Sequence, residues 1–262
     1  MMKNIGYCCI PMGCNVGKPK KEHITVNRGM VRKTFDTKGL PYVSELVIEN
    51  LKDTLKVLDW NLKNHIYVYR LSSDSFPWMS EYEFSDMPKF PAIQTYMRLI
   101  GEKIKSNDIR VSYHPGPFNV LASENPSVVE KTIKELNKHA ELMDLMGLDQ
   151  TTFYPINIHI NTTQPTREEA AQRFVDRFPL LSESCRKRLT VENDDSTWNT
   201  RAMTHMSSPK TLEDNSGKQT AHADYIYEEI KTFGLDFDTE IEAKAKDLAV
   251  FKYREQFKVL KG

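Results

Sequence analysis

Six residues able to ligate a metal stand at or near the ends of short β-like runs scattered along the chain: His114, His159, Glu192, His205, His222 and Glu242. Five close such a run: Arg-Val-Ser-Tyr-His114, Asn-Ile-His159, Leu-Thr-Val-Glu192, Met-Thr-His205 and Glu-Ile-Glu242. His222 reads instead as lying at a helix entrance. Most of these runs are separated by helical patterns. Strands far apart in sequence can bring ligands to one mouth when they lie side by side in a parallel α/β barrel. Imidazoles with carboxylates suit Mn, Fe or Zn. The alternative, a buried histidine satisfied by its neighbours, fits any single His better than it fits the set.

A chain of 262 residues falls in the size class of one α/β barrel domain, expected to span 1–262. A hydrophobic content of 39% suffices for a sizeable core, and 36 basic residues balance 36 acidic ones. That balance excludes a global basic field for nucleic acid, so a DNA-binding groove has to be a local patch. Lys18, Lys20, Lys21, Arg28, Arg32 and Lys33 bias the N-terminal loop that way. The same charges read equally as solvated surface. Cys8, Cys9, Cys14 and Cys185 match neither a zinc ribbon nor a disulfide framework, which points to a reducing compartment. With no signal peptide and no apolar run of transmembrane length, a cytoplasmic monomer is expected, nuclear or host-cytoplasmic if the source is viral.

Ile5–Ile10 reads as a buried first strand and residues 11–41 as a long polar loop. Ser44 is expected to cap a helix carrying Val47, Ile48, Leu51, Leu55 and Leu58 at helical spacing. Further strands are expected at Tyr67–Leu71, Ile109–Tyr113, Ile156–Ile160, Leu189–Val191, Ala202–Met206 and Thr239–Ile241. Helices are expected over 92–105, from Ser127 to Gly147, from Thr166 to about Phe174, over Ala223–Phe233 and over 245–260. Ser127 with Glu130, and Thr166 with Glu169, have capping-box spacing. His139, inside the helix from Ser127, reads as structural. Ser72-Ser73-Asp74 reads as a loop or helix-entry cap, with phosphate binding as the lesser alternative.

This pattern predicts an α/β fold, a TIM-type (β/α) barrel with about seven strands. One connection is anomalous, since only seven residues separate Asp194 from Ala202. Parallel neighbours need a crossover of about a dozen residues, and a barrel spends roughly 30 residues per unit. One βα unit is therefore expected to be missing, with an open seam between the strands ending at Glu192 and His205; the alternatives are that these two strands are not neighbours or that one of the expected strands does not form.

The ligand-bearing segments carry longer motifs. Tyr-Arg-Leu-Ser-Ser-Asp (69–74), Ser-Tyr-His-Pro-Gly (112–116), Val-Glu-Asn-Asp-Asp (191–195), His-Ala-Asp-Tyr-Ile (222–226) and Ile-Glu-Ala-Lys (241–244) resemble the UV damage endonuclease (UvdE/UvsE) family, as does Ile-Gly-Tyr-Cys-Cys-Ile at the N-terminus. The resemblance runs nearly end to end. It implies a TIM-barrel, manganese-dependent endonuclease that nicks double-stranded DNA 5′ to UV photoproducts and so starts excision repair. It places metal ligands at His114, His159, Glu192, His205, His222 and Glu242, with Glu192, His205 and Glu242 at the catalytic centre. It puts damage-probing, DNA-binding aromatics at Tyr7 and Phe118, each of which also reads as ordinary packing.

Three departures from the family pattern stand out. The Asp-x-His-His-like segment expected after Asp195 is absent, Met203 replaces a metal-bridging Lys, and Pro117 replaces a Gln beside the probing aromatic. Two other readings follow: a non-catalytic remnant that binds damaged DNA, or a sugar isomerase or abasic-site nuclease of the same barrel type. Relatives of the latter kind should lack the Ser-Ser-Asp and Glu-Asn-Asp-Asp motifs.

Overall fold

Short apolar runs joined through helices favour parallel pairing, because a helical crossover returns the chain to the end of the sheet from which the strand set out. The computed structural model describes residues 2–192, 204–218, 221–230 and 237–258. Among them, seven strands form: β1 Met2–Cys8, β2 Val68–Arg70, β3 Arg110–Ser112, β4 Ile156–Ile158, β5 Leu189–Val191, β6 Thr204–Met206 and β7 Phe237–Ile241. Every pairing between them is parallel. Five strands run in the order β3-β2-β1-β7-β6, and β4 pairs with β5. A single parallel bridge, Tyr113 to Ile156, joins β3 to β4. The seven strands thus form one arc, β6-β7-β1-β2-β3-β4-β5. Among the described residues β5 and β6 do not pair, so the arc is not a closed barrel. The connection expected to be short lies within 193–203, outside the described residues.

Among the described residues six α-helices accompany the strands: α1 Arg32–Lys63, α2 Phe90–Ser106, α3 Pro126–Leu145, α4 Arg167–Arg177, α5 Glu183–Arg188 and α6 Asp247–Gln256. In α2, Ile93, Met97, Ile100 and Ile104 follow helical spacing and all are buried. Thr166 caps α4 by accepting from Glu169 N, as its capping-box spacing predicts. Asn125 rather than Ser127 caps α3, because Pro126 takes the first helical position and Asn125 accepts from Ser127 N.

Three expected elements need correction. Residues 32–38 are helical, not loop, and α1 is two helical stretches merged across a break at Gly39, whose φ is 58°. Pro41, tolerated in a first turn, opens the second stretch, so Ser44 is no cap; its Oγ donates to Leu40 O one turn back. Residues 223–230 are not helical either. There His222 forms an isolated antiparallel bridge with Pro209, so it does not open a helix.

Two glycines set the spacing of the layers. A Cβ on Gly6 would lie 1.9 Å from Val68 O, and one on Gly101 would lie 1.7 Å from Met146 O. Strand β1 can thus lie against β2, and α2 against the end of α3, only without a side chain at these points. We expect Gly101→Ala to destabilise the fold by roughly 3 kcal/mol, since backbone must move to admit the methyl. Gly29→Ala, with open space around its Cβ, should leave the urea midpoint unchanged.

His139 is buried against Tyr113, with ring centroids 5.0 Å apart. Its Nδ1 lies 2.8 Å from Glu135 O, which can only accept, so Nδ1 carries the proton. Its Nε2 has no partner among the described residues. Burial, opposed by the Glu135 hydrogen bond and aided by the His114 charge, holds its pKa down to about 4 against an ordinary 6.5. The unfolded chain therefore binds a proton that the folded chain refuses. This share of stability is complete above pH 6.5 and lost as pH falls toward 4, by about 3 kcal/mol. Urea titrations of His139→Leu across that window should show a flatter acid limb than those of the unaltered protein.

Candidate metal centre

Successive side chains of a strand point to opposite faces, so residues two apart share one. Ser112 and His114, Asn157 and His159, Thr190 and Glu192, and Glu240 and Glu242 are four such pairs. Each candidate ligand thus stands one step beyond a polar residue on the same face. The sheet continues past the strand ends at the same level. Tyr113 N donates to Pro155 O at 3.0 Å, Asn157 N to Tyr113 O at 2.9 Å and Glu192 N to Ile158 O at 2.8 Å. This ladder brings His114, His159 and Glu192 together at the carboxyl ends of β3, β4 and β5.

The ligand atoms of His114, His159 and Glu192 all lie within 4.8 Å of one another, the sole such group among the described residues. Glu192 Oε2 lies 2.9 Å from His114 Nε2 and 3.8 Å from His159 Nε2. The two imidazole rings sit 5.0 Å apart. His114 Nδ1 faces Pro115 O at 3.2 Å; the tautomer that donates there turns the Nε2 lone pair toward Glu192. Two imidazoles and one carboxylate converging from three strands fit a divalent cation of the Mn, Fe or Zn class.

Asn157, which sequence reasoning passed over, orients the carboxylate. Its Nδ2 donates to Glu192 Oε2 at 2.9 Å, and its own Oδ1 accepts from Thr190 Oγ1 at 2.9 Å. Thr190 thereby fixes which way the Asn157 amide points. The signal was present as an Asn between two isoleucines in a buried strand, where a polar side chain needs a partner.

Glu242 and His222 are not members of that group. Glu242 lies just past β7, its N donating to Met206 O at 2.9 Å, and its Oε2 is 3.6 Å from His222 Nε2. Glu242 and His222 thus form a second, smaller pair. His205 lies in β6 in register with Glu240, and its side chain lies outside the described part. The structure therefore brings three of the six candidates into one cluster and two into another.

Of the two expected probing aromatics, one is corrected. Tyr7 is fully buried, packs against Tyr69 with ring centroids 5.1 Å apart and donates its hydroxyl to Asn61 Oδ1 at 2.8 Å. It is a core side chain, because β1 lies between two strands and α1 covers it. Phe118 is 88% exposed, the most exposed large hydrophobic residue among those described. Its loop is tied down by Asn161 Nδ2, which donates to Pro117 O at 2.9 Å. In the basic N-terminal loop, Lys18, Lys20 and Lys21 are exposed, whereas Arg28 is paired with Asp53 at 2.6 Å.

Loss of the Asn157 amide should cost about 10–100-fold in divalent-metal affinity, the usual effect of removing a group that orients a ligand. Calorimetric titration of Asn157→Ala with Mn²⁺, beside a melting curve, separates this from a loss of fold.

The chain is similar in sequence and in fold to known proteins. A UV DNA damage endonuclease of Clostridium perfringens is 29% identical over 257 residues, 95% of this chain and 59% of that protein. A UV DNA damage endonuclease of Bacillus cereus strain Q1 is 28% identical over 270 residues, 82% of each. The chain thus spans 59% of the length of the first relative and 82% of the second. The crystal structure of SacUVDE superposes with a TM-score of 0.81 at 24% identity, covering 99% of this chain and 100% of that one, a likeness of fold. The UV-endonuclease UvdE family matches residues 3–204, most of the length, and the chain belongs to that family.

Proposed function

We propose that this chain is a metal-dependent DNA repair endonuclease that nicks double-stranded DNA 5′ to UV photoproducts. The observation that carries the reading is the His114–His159–Glu192 cluster at the carboxyl ends of parallel strands, in a member of this family. A phosphodiester is a poor electrophile, and water at neutral pH is a poor nucleophile. Bound Mn²⁺ would polarise the phosphate, acidify water and stabilise the leaving oxygen. The chain's own residues supply the rest. The Glu192 carboxylate lowers the cost of gathering a dication beside two imidazoles, and Asn157 keeps that carboxylate aimed. Glu192, His205 and Glu242 are proposed to act at the reacting phosphate, with His222 completing the ligand set.

Phe118 is proposed to stack where damaged bases leave the helix, since every base offers a π-face and the ring is solvent-exposed. Lys18, Lys20 and Lys21 offer local charge for a phosphate backbone without a basic overall balance. The parallel arc is proposed as a TIM-type barrel, one domain over 1–262, that lacks one βα unit at its open edge between β5 and β6. Four cysteines without disulfides suit a reducing compartment such as the cytoplasm. No described helix is long and apolar enough to cross a membrane.

Nicking of UV-irradiated plasmid is the direct test. Mn²⁺-dependent nicks mapping 5′ to the lesions, abolished by chelation, are the expected result. Damage binding without nicking would favour the remnant reading, to which the seven-residue stretch between Asp194 and Ala202 gives specific support. Incision is expected to fall below that of a relative with the complete segment.

Glu192→Ala should weaken Mn²⁺ binding more than the roughly 10–100-fold typical of an orienting partner. It should shift the melting temperature little, because a ligand at the mouth adds little to the core. An affinity unchanged by calorimetry would refute Glu192 as a ligand. Phe118→Ala should cost about 1–3 kcal/mol of binding to irradiated duplex and leave Mn²⁺ affinity untouched.

A further inference from the structure

Arg70 ends β2 and is 8% exposed. Its Nε donates to Glu240 Oε2 at 2.9 Å, and its Nη2 lies 2.7 Å from Glu242 Oε1. Glu240 is 1% exposed, and Ser112 Oγ donates to its second oxygen, Oε1. A buried carboxylate survives only when paired and hydrogen-bonded. Arg70 and Ser112 meet that need for Glu240.

Glu242 is a second carboxylate on the same guanidinium, one step nearer the mouth, with its side chain 19% exposed. Its two oxygens face different groups. Oε1 meets Arg70, whereas Oε2 lies 3.6 Å from His222 Nε2. A guanidinium is a planar fork of donors in fixed geometry, so a group held by Glu240 at one side has little freedom at the other. With all three groups ionised, Arg70, Glu240 and Glu242 together carry one net negative charge, which favours a cation at the outer oxygen.

We infer that Arg70 is a positioning residue: anchored by Glu240, it holds Oε1 of Glu242 so that Oε2 and His222 are presented together as a metal-binding pair. This inference rests on the metal-dependent reading above. It has a definite sign. A guanidinium that merely stood in for the metal would compete with it, and its loss would tighten metal binding. A guanidinium that aims the ligand makes binding weaker when it is lost.

The test is Mn²⁺ titration of the full chain by calorimetry, with the Mn²⁺ EPR spectrum and a metal-free melting curve for each variant. Arg70→Lys keeps the charge that compensates Glu240 and loses the fork. It should bind Mn²⁺ about 10–100-fold more weakly, with an altered EPR spectrum. The double variant with Glu242→Ala should be no weaker than Glu242→Ala alone, because Arg70 acts through Glu242. Unchanged or tighter binding by Arg70→Lys would overturn the inference, as would losses that add in the double variant. Should Arg70→Lys not fold, Glu240→Gln removes the anchor at nearly constant shape. It should weaken Mn²⁺ binding in the same direction, and unchanged affinity there overturns the inference too. Binding by the unaltered chain that Glu242→Ala leaves unaffected would refute this inference and spare the His114–His159–Glu192 cluster. An unaltered chain that binds no Mn²⁺ would overturn the metal reading and this inference with it.

Discussion

The parallel register of the strands is the constraint on which the site depends. Tyr113 pairs with Ile156, Asn157 N reaches back to Tyr113 O, and Glu192 N reaches Ile158 O. These bonds put His114, His159 and Glu192 at one level. A slip of a single residue in any of the three strands would turn its ligand to the opposite face. Two glycines keep the layers in step, because backbone comes so near Gly6 and Gly101 that no side chain fits between.

Under the mouth lies a polar layer instead of a plain hydrocarbon core. Ser112, Asn157, Thr190 and Glu240 each sit two residues before a candidate ligand and share its face. Arg70 enters the same layer from β2. Desolvation makes such groups costly unless they satisfy one another. Here the polar contacts close among themselves: Thr190 holds Asn157, Asn157 holds Glu192, and Ser112 and Arg70 hold Glu240. The groups that satisfy the interior are the ones that aim the outer carboxylates.

Much of the fold was legible because its signals are periodic. The buried stripe of α2 and the cap of α4 follow from local spacing, and the seven short strands lie close to where the apolar runs put them. Two expectations failed, for different reasons. Ser44 has the composition of a cap, yet a break at Gly39 and Pro41 upstream lets the helix start earlier and turns Ser44 inward to Leu40 O. The apolar positions over 223–230 resemble a helical stripe, yet the chain there is held by irregular bonds, including Ala223 N to Ser208 O and Tyr227 N to Ser208 Oγ. At Ser44 the decision was local, whereas over 223–230 tertiary partners outcompeted local propensity.

The order of residues alone determined the chemistry on offer: imidazoles and carboxylates at strand ends, a balanced charge, and motifs long enough to carry the family. It also left only seven residues between Asp194 and Ala202, the basis for expecting a missing unit there. Only the tertiary structure decided which ligands meet. Of the five candidates whose side chains are described, three became a cluster and two a separate pair, because convergence depends on which strands are neighbours and on their register. It also separated two aromatics that the chain alone leaves equivalent. Tyr7 lies on a strand covered by α1 and serves the core, whereas Phe118 stands on a loop beyond a strand end and faces solvent. Burial is a property of what lies opposite a residue in space, and the linear order of the chain does not contain it.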